Sequence, residues 1–171
     1  MMSFSFSAIR IEKSDNMGRL RFSTGELQHV KDDPESSVRN YLYSIRDKLG
    51  YENVHAFPLD FIKDGKNGTR HFSFQQTYKN IPVFGRYVRV HIGEDMITSL
   101  SSNIENIDLS IIPIITEFGA IDIIQLDYIS NSTYFQYKNL QIYIKNSIPY
   151  LVHTVDAVNF EDSWRYMVDA H

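Results

Sequence analysis

Between His71 and Leu100 one pattern repeats: an alternating run of apolar and polar residues, then a turn of two or three residues. His71-Phe72-Ser73-Phe74-Gln75-Gln76-Thr77-Tyr78 alternates up to Lys79-Asn80. Ile81-Pro82-Val83-Phe84-Gly85 and Tyr87-Val88-Arg89-Val90-His91-Ile92 follow, and Gly93-Glu94-Asp95 turns the chain into Met96-Ile97-Thr98-Ser99-Leu100. Alternation of period two puts every second side chain on one face, and connections this short join only antiparallel neighbours. The stretch predicts an antiparallel meander with one buried face, and that face needs a cover.

The cover is legible upstream. Asp33 is placed to cap a helix, Pro34 suits the first helical position, and Glu35 favours the positive end of the dipole. Val38, Tyr41, Leu42, Ile45 and Leu49 recur at helical spacing, and Gly50 supplies the stop. Before this helix, Phe4, Phe6, Ile9, Ile11, Leu20 and Phe22 mark short strands with a turn near Asn16–Gly18. Asp64-Gly65-Lys66-Asn67-Gly68 is a turn by composition.

After the meander the elements recur in a new order. Asp108–Pro113 reads as a connector, and Thr116 is placed to cap a second helix to about Tyr128, burying Ala120, Ile121, Ile124 and Tyr128. A loop at Ser130–Thr133 leads into strand-like runs Leu140–Lys145, Tyr150–Val158 and Trp164–Asp169, with a polar turn at Asn159–Ser163 between the last two. The predicted fold class is α+β, with two modules, each an antiparallel β-sheet packed with one main α-helix. The modules are residues 1–109 and 110–171, the boundary falling near Ser110.

Composition narrows the function. Hydrophobic residues at 43% and aromatics at 13% exclude a disordered chain. A net charge of −4 gives no concentrated basic surface, so no nucleic-acid partner is expected. No apolar run approaches the roughly 18–20 residues of a membrane span, and Met1–Phe6 lacks a signal-peptide pattern. The absence of cysteine removes disulfides, thiolate metal sites and cysteine nucleophiles.

The search for a catalytic constellation comes back empty. None of the six histidines (His29, His55, His71, His91, His153, His171) stands three or four residues from another, and no HExxH pair or GxSxG elbow is present. His71 and His91 fall on predicted adjacent strands and could approach each other, although strand-surface histidines are the plainer reading. Asp32-Asp33 and Glu161-Asp162 fit a cap and a turn. Asn67-Gly68-Thr69 and Asn131-Ser132-Thr133 are formal glycosylation acceptors with no added weight. No catalytic, cofactor-binding or metal-binding residue is predicted, and no cofactor.

Gln75 to Gly85 stands out on other grounds. Pro82 removes a backbone donor and fixes φ, so it belongs at a strand start, an edge or a bulge. The stretch is either a hairpin with a proline shoulder or a rigid apolar ridge (Ile81, Val83, Phe84) offered to a partner. On the residues alone both readings stand.

FQQTYKNIPVFGRYVRVHI resembles the signature of the fungalysin/thermolysin propeptide module. Gln76, Tyr78, Ile81, Pro82, Val83 and Gly85 match it, and Asn80 replaces the usual small glycine. The C-terminal part resembles the PepSY module that follows in such precursors: Trp164-Arg165-Tyr166-Met167-Val168-Asp169-Ala170-His171 matches its closing strand, and IPYLVHTVDAV the strand before it.

The resemblance implies the pro-region of a secreted thermolysin-like zinc metallopeptidase, itself non-catalytic, acting as intramolecular chaperone and peptidase inhibitor. Its implied partner is the cognate peptidase catalytic domain, in cis or in trans, and its implied location extracellular or in the cell envelope. The cleft-filling linker of the family is expected after His171. Partner-facing residues on this reading are Tyr78, Ile81, Pro82, Val83, Phe84 and Gly85, with Asp169, Ala170 and His171 at the closing strand. Internal packing is the competing role for each, and Trp164 and Arg165 are expected to tie the last strand into its module. The alternative is a stand-alone PepSY-type binding module that inhibits or scaffolds another secreted or envelope protein.

Overall fold

The computed structural model describes residues 9–31, 33–52, 55–127 and 133–171. Phe4, Phe6, the helix end at Tyr128, and Asn131 and Ser132 lie outside the described residues. In chain order the elements are β1 (Ile11–Ser14), β2 (Leu20–His29), α1 (Pro34–Ser44), α2 (Arg46–Leu49), β3 (His55–Ala56), β4 (Leu59–Asp64), β5 (Arg70–Tyr78), β6 (Ile81–Gly93) and β7 (Met96–Ser102). α3 (Glu117–Asp127), β8 (Tyr134–Lys145), β9 (Ile148–Val158) and β10 (Ser163–Asp169) complete the chain. It is an α+β chain in which strands predominate.

The described residues divide into two compact units. One is the chain up to Gln76 together with Gly85–Asn106; the other is Thr77–Phe84 together with Ile107 onward. The sequence reading kept the whole β5–β6 hairpin in the first module, whereas its tip packs with the second unit. The reason is visible in the second unit's core, where Tyr78 and Val83 are buried among Ile107, Ile142, Leu151 and Ala170.

In the first unit the strands run in the order β1, β2, β7, β6, β5, with β3 and β4 also on β5. β1–β2, β2–β7, β6–β7 and β4–β5 pair antiparallel. Alternation sends Phe72 and Phe74, and Val88, Val90 and Ile92, to one face. There they meet Val38, Tyr41, Leu42, Ile45 and Leu49 from the helices. Burying each large apolar side chain contributes about 1.5–3 kcal/mol, so this face dominates the unit's stability.

The helix starts as the residues dictate. Asp33 Oδ2 accepts the Ser36 N–H at 2.9 Å, Pro34 opens the helix, and Glu35 pairs with Arg39 at 2.8 Å. One uninterrupted helix to Leu49 is expected, but the structure breaks it at Ile45 (φ −109°, ψ 12°). The Ser44 hydroxyl donates to the Tyr41 carbonyl at 2.7 Å, a local side-chain bond that competes with the helical ladder and bends it. α2 resumes and ends at Gly50 in the left-handed conformation (φ 68°, ψ 45°).

In the second unit β8, β9 and β10 form an antiparallel sheet, α3 lies against all three, and Val83 pairs with Ile142 in parallel. β8 starts at Tyr134, well before the expected Leu140, because a register shift between Tyr137 and Asn139 lets a polar stretch stay in the ladder. The Thr116 hydroxyl accepts the Gly119 N–H at 3.2 Å as expected of a cap. Ala120 and Ile124 are buried and Ile121 is half-buried. No described helix is long and apolar enough to cross a membrane.

Candidate partner surface

The Tyr78–Gly85 segment is built around a two-residue turn. Lys79 (φ 48°) and Asn80 (φ 68°) both hold left-handed backbone, which a type I′ hairpin requires and which Asn tolerates well. Pro82 is the second residue of β6, close enough to the strand start for its missing N–H to be harmless. Alternation then separates the ridge residues. Val83 is wholly buried and Tyr78 is 3% exposed, whereas Phe84 is 42% exposed. Ile81 packs against the core and Pro82 is half-buried. Of the predicted ridge, the structure displays Phe84 alone.

Gly85 follows with φ 67° and open space where a Cβ would sit, so backbone conformation rather than crowding calls for glycine. Its carbonyl accepts Asn103 Nδ2 at 2.8 Å, and Asn103 Oδ1 accepts the Tyr87 N–H at 2.7 Å. One side chain thus secures the backbone around the left-handed residue.

Phe84 borders a feature the sequence reading missed. Its ring lies 6.2 Å from that of Tyr143, tilted by 57°. Tyr143 sits opposite Tyr150 across β8–β9, and Val152 opposite Asp169 across β9–β10. With Lys145 and Met167 these four line a groove of about 300 Å³. Two phenol rings, a thioether and an aliphatic floor suit an apolar side chain, while Lys145 and Asp169 offer one charge of each sign. Alternation along β8–β10 was the available signal, but the registers of β8 on β9 and of β9 on β10 decide which residues share that face.

The closing residues have separate fates. Asp169 lines the groove and also accepts the His171 N–H at 3.1 Å. Ala170 is buried; its N–H donates to the Leu151 carbonyl at 2.9 Å, and its carbonyl accepts the N–H groups of Ile114 (2.7 Å) and Ile115 (3.0 Å). His171 is exposed. Arg165 binds Asp156 through both carboxylate oxygens, at 2.7 and 3.0 Å, tying β10 to β9. That hydrogen bonding, with the Arg165 charge and Lys138, pulls the Asp156 carboxyl below its usual range. Trp164, expected to anchor the strand, is 55% exposed instead.

Two histidine arrangements are structural in form. His153 is buried, with Nε2 2.7 Å from the Ile115 carbonyl and Nδ1 3.2 Å from the Tyr137 hydroxyl. The carbonyl only accepts, so Nε2 carries the proton and Nδ1 receives the tyrosine's. His71 and His91 do meet, Nδ1 against Nδ1, with ring centroids 4.6 Å apart and planes at 75°. Among the described residues no three His, Cys, Asp or Glu side chains converge on a point suited to a metal ion.

Residues 58–104 match the family model for the Fungalysin/Thermolysin Propeptide Motif. The chain carries that motif, and the stretch from Gln76 to Gly85 lies inside it. Among solved structures the chain is similar to the Bacillus megaterium YpeB C-terminal domain, at 11% identity and a TM-score of 0.41, covering 88% of this chain and 67% of that one.

Proposed function

We propose that the chain acts as the pro-region of a secreted thermolysin-like zinc metallopeptidase, assisting the folding of the catalytic domain and holding it inactive. The observation that carries this reading is the propeptide motif over residues 58–104, centred on the hairpin with Tyr78, Pro82 and Val83. On this reading the chain performs no chemistry, works outside the cytoplasm, and meets the catalytic domain in cis or in trans. Templating suits a target whose folding is limited by slow, non-local pairing.

The partner surface on this reading is Phe84 with the Tyr143–Tyr150 groove and Asp169. Tyr78, Val83 and Ala170 serve it indirectly by fixing β6 and β10. Refolding the cognate peptidase domain with and without the added chain tests the proposal. A rise in recovered enzyme, followed by inhibition at higher chain concentration, supports it; neither effect with the confirmed cognate overturns it.

A further inference from the structure

His71 on β5 and His91 on β6 touch through their Nδ1 atoms on the sheet face turned away from the core of the first unit. A nitrogen-to-nitrogen hydrogen bond needs one donor and one acceptor. It therefore exists when both rings are neutral or when one is charged, and cannot exist when both carry two protons. We propose that the His71–His91 contact is an acid-sensitive latch between β5 and β6, closed while one imidazole is neutral and forced open by the second proton.

The surroundings make the second proton costly. Lys63 of β4 stands opposite His71, and Ser99 of β7 opposite His91. Gly65, before β5, lies so close that a Cβ there would be 2.7 Å from His71 Nε2. Thr98 donates its hydroxyl to the His91 carbonyl at 3.3 Å. Among the described residues the charged groups that act on His91 are His71 and Arg89, both cationic when charged. Burial first, then His71 and Arg89, lower the affinity of His91 for a proton below that of an ordinary imidazole.

The sign follows from proton linkage. A base whose folded pKa lies below its unfolded value near 6.5 binds its proton more readily in the unfolded chain. Stability contributed by the pair is complete above that value, falls as pH drops below it, and levels off below the folded pKa. Each unit of separation lowers the folding equilibrium constant by about tenfold. Depressed carboxyls such as Asp15, at about 2, respond only at much lower pH, so the two effects occupy different windows. The latch does not depend on the partner proposed above.

The test is amide hydrogen exchange of the intact chain at pH 7.5 and 5.5, corrected for intrinsic rates and read on peptides from Arg70–Gln76 and Gly85–Gly93. Protection in both strands falls at pH 5.5 in the wild-type chain. The fall disappears in His91→Gln, shrinks in His71→Gln and persists in His153→Gln. Equal protection at the two pH values overturns the proposal. So does a fall that is undiminished in either latch variant or vanishes with His153→Gln. Should a latch variant fail to fold, ring-proton shifts of the wild type decide: the latch requires His91 to take up its proton below the ordinary imidazole value of 6.5, and protonation of His91 at or above that value overturns it.

Discussion

The amide of Gln76 grips the backbone of Glu105 from both sides: Nε2 donates to the Glu105 carbonyl at 2.6 Å, and Oε1 accepts the Glu105 N–H at 3.1 Å. Gln76 is fully buried, and its Nε2 also lies 2.9 Å from His55 Nδ1. The Glu105 carboxylate in turn receives Arg19 at 2.6 Å and Arg21 at 3.2 Å. A residue shared with the propeptide signature thus fastens the end of β5 to the segment leaving β7.

Gln76→Ala leaves two backbone groups of Glu105 without partners and opens a cavity. The expected loss is roughly 2–4 kcal/mol, read as a lower urea midpoint by far-UV circular dichroism. Gln76→Glu retains an acceptor but loses the donor, and it also destabilises the first unit. A midpoint unchanged in both variants would show the grip to be dispensable.

A second prediction concerns strong acid. Burial opposes charge on Asp15, but hydrogen bonds from the Arg19 backbone and side chain, the Met17 backbone and Arg21 outweigh it and bring its carboxyl to about 2. The ordinary value is 3.8, so this contribution is present above about 3.8 and is lost as pH falls through about 2. Urea midpoints measured between pH 5 and pH 2 decline in the wild-type chain, and Asp15→Asn flattens part of that decline. An equal decline in the variant contradicts the assignment.

Adjacent positions on β6 differ in what they tolerate. Val83→Asp buries a charge in the second unit's core and unfolds that unit, whereas Phe84→Asp alters an exposed ring and leaves the fold intact. Trp164, the single tryptophan, lies in the second unit and reports on it. The emission spectrum is expected to shift in Val83→Asp and to stay nearly unchanged in Phe84→Asp. The reverse pattern would contradict the placement of these two side chains.

Much of the fold was legible because its signals are local. The Asp33 cap, the Gly50 stop and the Lys79-Asn80 turn each depend on backbone geometry within a few residues. The break at Ile45 was not legible, since it arises where one hydroxyl competes for one carbonyl. The parallel pairing of Val83 with Ile142 joins positions far apart in sequence, and no periodicity encodes it. The groove was missed for a related reason: Tyr143, Tyr150 and Met167 share a face only through the registers of β8 on β9 and of β9 on β10. The proline hairpin was found because φ restriction and a missing donor leave a mark in the sequence, yet burial reserved only Phe84 for the surface.

Gly85→Ala tests the backbone rather than the packing. Open space surrounds the position, so the expected cost of about 1 kcal/mol comes from the left-handed φ alone. Gly85→Asn costs less, because Asn adopts this region more readily. Asn103→Ala removes the side chain that secures this backbone and is expected to destabilise the first unit further in combination with Gly85→Ala. Thermal midpoints of the single and double variants check the ordering, and strictly additive shifts would separate the two effects.

The central claim is that this chain templates and restrains a zinc peptidase domain through the surface around Phe84. The most direct measurement is the yield and residual activity of the cognate domain refolded with increasing amounts of the wild-type chain or of Phe84→Asp. The account predicts that the wild-type chain raises the yield and then suppresses activity, and that the folded Phe84→Asp variant requires at least about tenfold more protein for either effect, equivalent to about 1.4 kcal/mol of binding. Equal potency of the two chains would remove Phe84 from the interface, and no effect of the wild-type chain on yield or activity would contradict the pro-region account itself.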